Sequence, residues 1–147
     1  MKYIEALDEY IPQIGEVSLF LGGGITNCAD WQAVMVDLLK DSDLVLLNPR
    51  RDNFPMGDKN ATPLQIDWEF RHLKLATKIM FWFTSESLCP ITLFEYGKWL
   101  TRDKPLFVGC HPEYKRIEDV KVQTALEQPN LEIFTDLSSL AAKILNS

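Results

Sequence analysis

Five short apolar runs alternate with amphipathic stretches along this 147-residue chain, and that alternation constrains the fold more than any other feature. The apolar runs lie at 17–21, 44–47, 78–83, 105–109 and 131–134. The intervening stretches have helical spacing, and we predict helices at about 31–40, 62–76, 91–100, 117–126 and 137–145. Strands that are apolar at nearly every position are buried on both faces, which is typical of a parallel sheet covered by helices.

The order of these elements predicts the topology. Right-handed crossovers between parallel strands favour a doubly wound sheet with helices on both faces. We therefore predict an α/β fold with a five-stranded parallel sheet in the order 2-1-3-4-5, a flavodoxin-like or Rossmann-like three-layer sandwich. The length corresponds to one domain, residues 1–147, which would bury about 69% of the surface of the unfolded chain.

Charge narrows the choice of partners. The chain has 21 acidic and 15 basic residues, a formal net charge of −6, and no basic run longer than Arg50-Arg51. A nucleic-acid polymer needs a basic stripe that displaces counterions from its phosphates, so we expect no such partner. A small anion remains compatible with this composition.

The cysteines and the apolar segments indicate a cytoplasmic protein that is not in a membrane. Cys28, Cys89 and Cys110 form no CxxC pair, so no zinc or redox motif is expected, and a reducing compartment suits them. Three acidic residues within the first nine argue against a signal peptide. The densest apolar run, 79–83, is far shorter than the ~20 residues that span a bilayer.

Doubly wound sheets bind ligands beyond the carboxyl ends of their strands, which directs attention to 22–30, 48–62, 84–95 and 109–114. Gly22, Gly23 and Gly24 follow the first predicted strand, without the GxGxxG or P-loop spacing. Glycines let a backbone approach a ligand closely. This segment is either a backbone platform for a sugar or phosphate, or a tight turn between strand and helix.

The second strand end carries a basic pair. Arg50 and Arg51 follow Asn48 and open a long polar loop, 50–62, and long loops in compact domains are often functional. The planar fork of arginine suits a phosphate or carboxylate, so we predict that one or both bind an anionic part of a ligand. The alternative is a solvated surface pair.

Two glutamates on neighbouring predicted helices are candidates for catalysis. Glu69 shares a helix face with Gln65, whereas Asp67 points elsewhere and can pair with Arg71. Glu95 lies among apolar residues near the start of its helix, so it must be exposed, paired or functional. The nearby helix N-terminus favours its charged form, which suits a nucleophile.

The segment from about 17 to 110 resembles the nucleoside 2-deoxyribosyltransferase family, in particular its divergent deoxyribosyltransferase-like branch. The resemblance is carried by Thr92-x-x-Glu95-x-Gly97, which follows an apolar strand and a short loop, and by the glycines 22–24. It implies that Glu95 is the nucleophile that attacks the anomeric carbon and that the glycines form the nucleoside platform. It also implies that Glu69 is the acid assisting the leaving base, with Asp67 as the fallback.

Three features depart from the family, and one of them is the loop 50–62 with Arg50 and Arg51, which is longer and more basic than in the simplest members. Phe20 replaces a tyrosine that helps to orient the nucleophile, and Cys89 stands where the family has Asp or Ser. The resemblance implies a small nucleoside or nucleotide as the substrate, without a cofactor or a metal ion. The predicted substrate-binding residues are Gly22, Gly23, Gly24, Trp31, Asn48, Arg50, Arg51, Asp67, Cys89 and Thr92.

Three functions stay open on these grounds. The first is cleavage of an N-glycosidic bond, or transfer of a 2-deoxyribosyl group. The second is a non-catalytic nucleotide-binding or sensing module, and the third is a glutamate-dependent glycosidase acting on NAD or another ribonucleotide. We also expect a homodimer or a higher homo-oligomer, because aromatic residues crowd the helices beside the proposed site. These are Trp68, Phe94, Tyr96 and Trp99.

Overall fold

The computed structural model describes residues 1–55 and 57–147. Within them the strands are β1 (Lys2–Glu5), β2 (Ser18–Gly23), β3 (Val45–Asn48), β4 (Lys78–Phe83), β5 (Leu106–Cys110) and β6 (Ile133–Phe134). The helices are α1 (Trp31–Leu38), α2 (Ala61–Leu75), α3 (Pro90–Leu100), α4 (Ile117–Glu127) and α5 (Leu137–Leu145). The predicted loop 50–62 includes Met56, which lies outside the described residues, and its last two positions belong to α2.

All strand pairs in the described sheet are parallel, in the order β1-β3-β2-β4-β5-β6. The five predicted strands correspond to β2 to β6, so the doubly wound three-layer fold and the predicted order are confirmed. The central pairing, β2 beside β4, is parallel in register Phe20 to Ile79 and Gly22 to Phe81.

The prediction of five strands is wrong by one, because β1 adds a sixth strand at the edge. It pairs with β3 in register Tyr3 to Leu46. An edge strand contacts the sheet on one side only, and Lys2 and Tyr3 are exposed. The sequence KYIE therefore lacks the continuous apolar run by which the buried strands were recognised.

The helices begin and end within one or two residues of the predicted bounds. Asp30 caps α1, since its Oδ1 accepts a hydrogen bond from the Ala33 N–H at 3.0 Å. Met35 is fully buried, whereas Val34 is half exposed, because α1 turns its 31–35–39 row toward the sheet.

Two apolar cores cover the two faces of the sheet. Alternate residues of β4 show the division: Ile79, Phe81 and Phe83 pack with α2, α3 and α4, while Met80 and Trp82 pack with α1 and α5. This arrangement brings the carboxyl ends of β2, β3 and β4 beside the N-terminal parts of α1 and α3. Among the described residues, no helix has both the length and the apolar character needed to cross a membrane.

Candidate active site

A cavity of about 260 Å³ lies at the carboxyl end of β2, between α2 and α3. Seven of the predicted site residues line it: Gly22, Gly23, Gly24, Glu69, Cys89, Thr92 and Glu95. Exposed Ile91 also lines the wall, so the cavity opens to solvent at the start of α3. The structure thus brings together segments that follow β2 and β4 and one residue of α2.

The glycines at the end of β2 are held by close packing on their far side. A Cβ on Gly22 would lie 2.9 Å from the Phe81 ring, and one on Gly23 would overlap the indole of Trp31. Trp31 itself is buried and donates a hydrogen bond from Nε1 to the Gly24 carbonyl at 2.8 Å. Trp31 therefore supports the glycine segment from beneath and does not line the cavity.

Glu69 reaches the cavity from the middle of α2, and a neighbouring amide holds it. Gln65, one helical turn earlier, donates from Nε2 to Glu69 Oε1 at 2.9 Å and to the Pro49 carbonyl at 2.6 Å. Burial raises the pKa of Glu69, and the hydrogen bond from Gln65 opposes that rise. The carboxyl group is thus positioned by an amide that is itself tied to the loop after β3.

Glu95 lies in the second turn of α3, and its pKa is raised to about 8. Burial is the largest cause, the charge of Glu69 is the second, and Lys98 acts in the opposite direction. The expectation that the helix N-terminus favours the charged form is therefore wrong as the net effect. Desolvation and a like charge outweigh the partial charge of the helix end.

The two carboxyl groups form a pair whose charges interact, because Glu69 is one cause of the raised pKa of Glu95. Interacting groups of this kind titrate as a unit rather than independently. One carboxylic acid and one carboxylate in a partly desolvated cavity can act as a general acid and a nucleophile, respectively. Both chemical roles needed to cleave a glycosidic bond are therefore available in one place.

Cys89 also lines the cavity and precedes α3 in a left-handed conformation, with φ +47°. A Cβ on Gly24 would lie 2.7 Å from its Sγ, so the thiol packs directly against the glycine segment. Burial raises the pKa of the thiol, and the Sγ donates to the Ser87 carbonyl at 3.5 Å. This wall is therefore neutral near pH 7.

The N-terminus of α3 supplies polar groups to the same wall. Pro90 occupies the first turn, and no side chain caps this helix end. The N–H groups of Ile91 and Thr92 precede the first intrahelical bond, which runs from the Leu93 N–H to the Cys89 carbonyl. Buried Thr92 adds a hydroxyl at the cavity wall. These donors can hold hydroxyl or anionic groups of a ligand.

Arg50 lies outside the cavity, and its guanidinium is committed to the chain segment before and within α1. Its Nη1 donates to the Ala29 carbonyl at 3.1 Å and to Gln32 Oε1 at 3.2 Å. Its Nη2 donates to the Cys28 carbonyl at 3.3 Å, and its Nε lies 3.6 Å from Asp30 Oδ2. Arg50 therefore ties the loop after β3 to the loop after β2.

Three other predicted site residues also lie outside the cavity wall. The Asn48 side chain accepts from the Arg50 N–H at 3.0 Å and donates to the Tyr3 hydroxyl at 2.8 Å. Asp67 is exposed and pairs with Arg71 Nε at 2.8 Å, the partner that the helical spacing predicted. The Arg51 guanidinium lies 5.3 Å from the centre of the Phe54 ring, and its Nη1 is buried without a hydrogen-bond partner among the described residues.

Gln65 contacts a cavity residue but was not among the predicted site residues. Its spacing from Glu69 was visible in the sequence, but the contact with the Pro49 carbonyl joins residues 16 apart and follows from the tertiary fold. Pro49, Ser87 and Ile25 also line the cavity without having been predicted. In the described ranges, 1–55 and 57–147, no group of three or more His, Cys, Asp or Glu side chains is arranged to hold a metal ion.

A doubly wound parallel sheet with a carboxyl pair in a glycine-walled cavity at its strand ends defines the class: an α/β domain that binds a small ligand at the topological switch point. The family model described as "Nucleoside 2-deoxyribosyltransferase like" matches residues 16–114, about two thirds of the chain. The chain belongs to this family. A search of curated proteins gave no match. Family membership indicates a deoxyribosyltransferase-like enzyme whose implied ligand is a small nucleoside.

Proposed function

We propose that this protein cleaves the N-glycosidic bond of a nucleoside or nucleotide, or transfers its 2-deoxyribosyl group, through Glu95 as nucleophile and Glu69 as acid. The observation that carries the proposal is the carboxyl pair, brought from two helices to one cavity beside the glycines of β2. The two groups are also near enough to interact, because the charge of Glu69 contributes to the raised pKa of Glu95.

The first half of the reaction uses both carboxyl groups. An ionised Glu95 oxygen attacks the anomeric carbon while the bond from that carbon to the base nitrogen breaks. The Glu69 carboxylic acid gives its proton to the departing base, so that the electron pair of the broken bond becomes a new N–H bond. The positive charge that develops on the sugar ring is stabilised by the carboxylate below it.

The second half releases the sugar. Glu69, now ionised, removes a proton from a water molecule or from an acceptor base. The activated oxygen or nitrogen attacks the anomeric carbon, and the ester bond to Glu95 breaks. Both carboxyl groups return to their starting charge, with one proton shared by the pair. Water as the acceptor gives hydrolysis, and a second base gives transfer.

The size and walls of the cavity support a ligand that enters sugar first. Its volume of about 260 Å³ lies just below the range of about 300–1,000 Å³ that is typical of pockets for small ligands. The sugar would occupy the space beside the glycines, with its hydroxyl groups near Thr92 and the start of α3. Part of the base would then remain at the open side, next to Ile91.

A panel of nucleosides, 2-deoxynucleosides, their 5′-monophosphates and NAD tests the proposal. The release of free base is measured by chromatography, with and without a second base as acceptor. We expect release of base from at least one nucleoside or nucleotide, a loss of at least a thousandfold in the rate of Glu95→Ala, and wild-type rates in Glu118→Ala. Glu118 is an exposed helical glutamate on α4, so it is a matched control. Activity that survives in Glu95→Ala would contradict the proposal.

A second candidate is a non-catalytic module that binds a nucleotide. Phe20 favours it, because this residue lines the cavity without a hydroxyl that could orient Glu95. Saturable binding of a panel member by calorimetry, without release of base at any pH from 5 to 9, would support this candidate. Release of base from NAD alone would instead support the ribonucleotide glycosidase.

A further inference from the structure

We propose that Gln65 decides which carboxyl group of the pair holds the proton in the ligand-free protein: it keeps Glu69 ionised and leaves the proton on Glu95. The catalytic consequence of this inference rests on the proposed function, whereas the position of the proton does not. Gln65 is thus a positioning residue, because it acts on the chemistry through Glu69.

The orientation of the Gln65 amide is set by a group that only accepts hydrogen bonds. The Pro49 carbonyl lies 2.6 Å from Nε2, so this side of the amide must be the NH₂ group. The second hydrogen of the same NH₂ points to Glu69 Oε1 at 2.9 Å. A donor aimed at a carboxyl oxygen stabilises the carboxylate over the acid.

The opposite side of the amide supports the same orientation. Gln65 Oε1 is buried and has no hydrogen-bond partner among the described residues. A flipped amide would turn this oxygen toward the Pro49 carbonyl and Glu69 Oε1, which would place acceptor against acceptor. In the observed orientation Gln65 Oε1 has no hydrogen-bond partner within the described ranges, while both hydrogens of the Gln65 NH₂ group have one, at the Pro49 carbonyl and at Glu69 Oε1.

Glu95 has no comparable donor. Among residues 1–55 and 57–147, no side chain or backbone group donates a hydrogen bond to its carboxyl group or forms an ion pair with it. From α2 it faces Glu69, and from its own helix it faces Lys98, whose Nζ lies 4.8 Å from the centre of the Phe70 ring. The same cavity is lined by Cys89, whose thiol is neutral.

Burial raises the pKa of both carboxyl groups, and in the described part of the chain only Glu69 has a hydrogen bond that opposes the rise. The pKa of Glu69 is raised by burial and lowered by the Gln65 hydrogen bond, while that of Glu95 is raised to about 8 by burial and by Glu69. Lys98 lowers the pKa of Glu95 but does not outweigh these two causes.

This resting state is the reverse of the one that the proposed reaction needs. Before the attack on the anomeric carbon, one proton must pass from Glu95 to Glu69. One O–H bond breaks on Glu95, one forms on Glu69, and the net charge of the pair stays at −1. Gln65 opposes this transfer in the empty cavity, so ligand entry must promote it.

The test is a site-resolved titration of the ligand-free protein, with ¹³C at the glutamate carboxyl carbons observed by NMR. The two resonances are assigned with Glu69→Gln and Glu95→Gln. We expect the Glu69 carbon to titrate in the lower step and the Glu95 carbon near pH 8. In Gln65→Met the midpoint of Glu69 should rise by about one pH unit and that of Glu95 should fall.

Gln128→Met is the matched control. Gln128 Nε2 also donates to a carbonyl, that of Leu100, at 2.6 Å, but this amide lies outside the cavity wall. Its replacement should remove an equally short hydrogen bond and leave both carboxyl midpoints unchanged.

The wild-type titration alone can overturn the inference, whether or not Gln65→Met folds. If the titration midpoint of the Glu69 carbon is higher than that of the Glu95 carbon, the proton resides on Glu69 and the inference is wrong. Midpoints in Gln65→Met that equal those in Gln128→Met would remove the role of Gln65. Neither result depends on base release, so failure here and failure of the proposed function are distinguished by the nucleoside panel.

Discussion

Glu69 on α2 and Glu95 on α3 line the same cavity, and the charge of Glu69 adds to burial in raising the pKa of Glu95 to about 8. The two residues are 26 positions apart, and α2 and α3 both pack on the sheet face that carries Ile79, Phe81 and Phe83. The fold thus holds two acidic groups near each other in a partly desolvated cavity. Such an arrangement destabilises the folded protein at high pH, and it is typical of catalytic carboxyl pairs.

Glu95→Gln should therefore stabilise the protein in alkaline solution. The folded pKa of about 8 lies above the ordinary value of 4.5, so the acid form is favoured by folding. The stability that this group provides is complete below pH 4.5 and is lost as the pH rises through 8. By chemical denaturation at pH 9, the variant should exceed the wild type by about 2–4 kcal/mol. Equal pH dependence of the two proteins between pH 5 and 9 would contradict this prediction.

Gly24→Ala should disturb the cavity through Cys89. The added Cβ would lie 2.7 Å from Cys89 Sγ and 3.2 Å from Thr84 Cγ2, and we expect a loss of about 1–3 kcal/mol in the free energy of unfolding. Cys89→Ala in the same chain should restore part of that loss, because it removes the sulfur. Gly97→Ala is the control: nothing lies within 4 Å of its Cβ, so it should be neutral or stabilising. No rescue by the second substitution would show that Cys89 is not the obstacle.

Separate replacement of Arg50 and Arg51 should distinguish a residue that joins two loops from a residue that binds an anionic group of the ligand. Arg50→Ala removes the hydrogen bonds to Ala29, Cys28 and Gln32, so it should lower thermal stability and weaken all ligands alike. Arg51→Ala should weaken a nucleoside 5′-monophosphate tenfold or more and leave the free nucleoside unchanged, since a charge-assisted contact is worth about 1.5–3 kcal/mol. Calorimetric titration measures both. Equal weakening of the two ligands in Arg51→Ala would limit Arg51 to shaping its loop.

His72 should make the protein sensitive to mild acid. It is fully buried, stacks on Trp68, and its ring nitrogens contact the Trp68 carbonyl and the Tyr10 N–H. Burial lowers its pKa below 6.5, so the unfolded chain takes up the proton first. The contribution of the neutral His72 to the free energy of unfolding is complete above pH 6.5. It is lost as the pH falls toward the pKa that His72 has in the folded protein. Unfolding temperatures from pH 7.5 to 5 should fall less in His72→Phe than in wild type, and an equal fall in the two proteins would contradict this prediction.

We expect an oligomer, although the aromatic residues that suggested it are mostly covered. Trp68, Tyr96 and Trp99 are buried within the chain, and Phe94 is 71% exposed. Phe94 instead joins Ile66, Phe70 and Ile91 as exposed apolar side chains on α2 and α3, beside the cavity. Sedimentation velocity at micromolar concentration should give a mass of at least twice 16.9 kDa. Phe94→Glu should reduce it, and Leu126→Glu, on exposed α4 surface, should not. A wild-type mass near 16.9 kDa would contradict the expectation.

Much of the fold could be predicted because each signal is local. A strand buried on both faces must be apolar throughout, so β2 to β5 stand out as uninterrupted runs. The helices between them are marked by their spacing and by caps such as Asp30. β1 escaped prediction since an edge strand needs no continuous apolar run, and its pairing with β3 is set by residues about 43 positions away.

The candidate site also combines features that local sequence signals predict with features that depend on the tertiary fold. Strand ends and family motifs identified the glycines, Cys89, Thr92 and the two glutamates as one group. They did not indicate that the Arg50 guanidinium donates its hydrogen bonds to residues between Cys28 and Gln32. They also did not indicate that the Gln65 amide donates to both Glu69 and the Pro49 carbonyl. Those partners are chosen by packing between loops and helices that are distant in the chain.

The sequence by itself determined the order of the strands, the ends at which a ligand would bind, and the residue types present there. Only the tertiary structure decided which charge form of those residues is favoured. The local helix end favours a charged Glu95, yet the folded chain buries most of its side chain and brings Glu69 near it. Desolvation and Coulomb interaction depend on distance in space, and they are set once helices far apart in sequence pack on one face of the sheet.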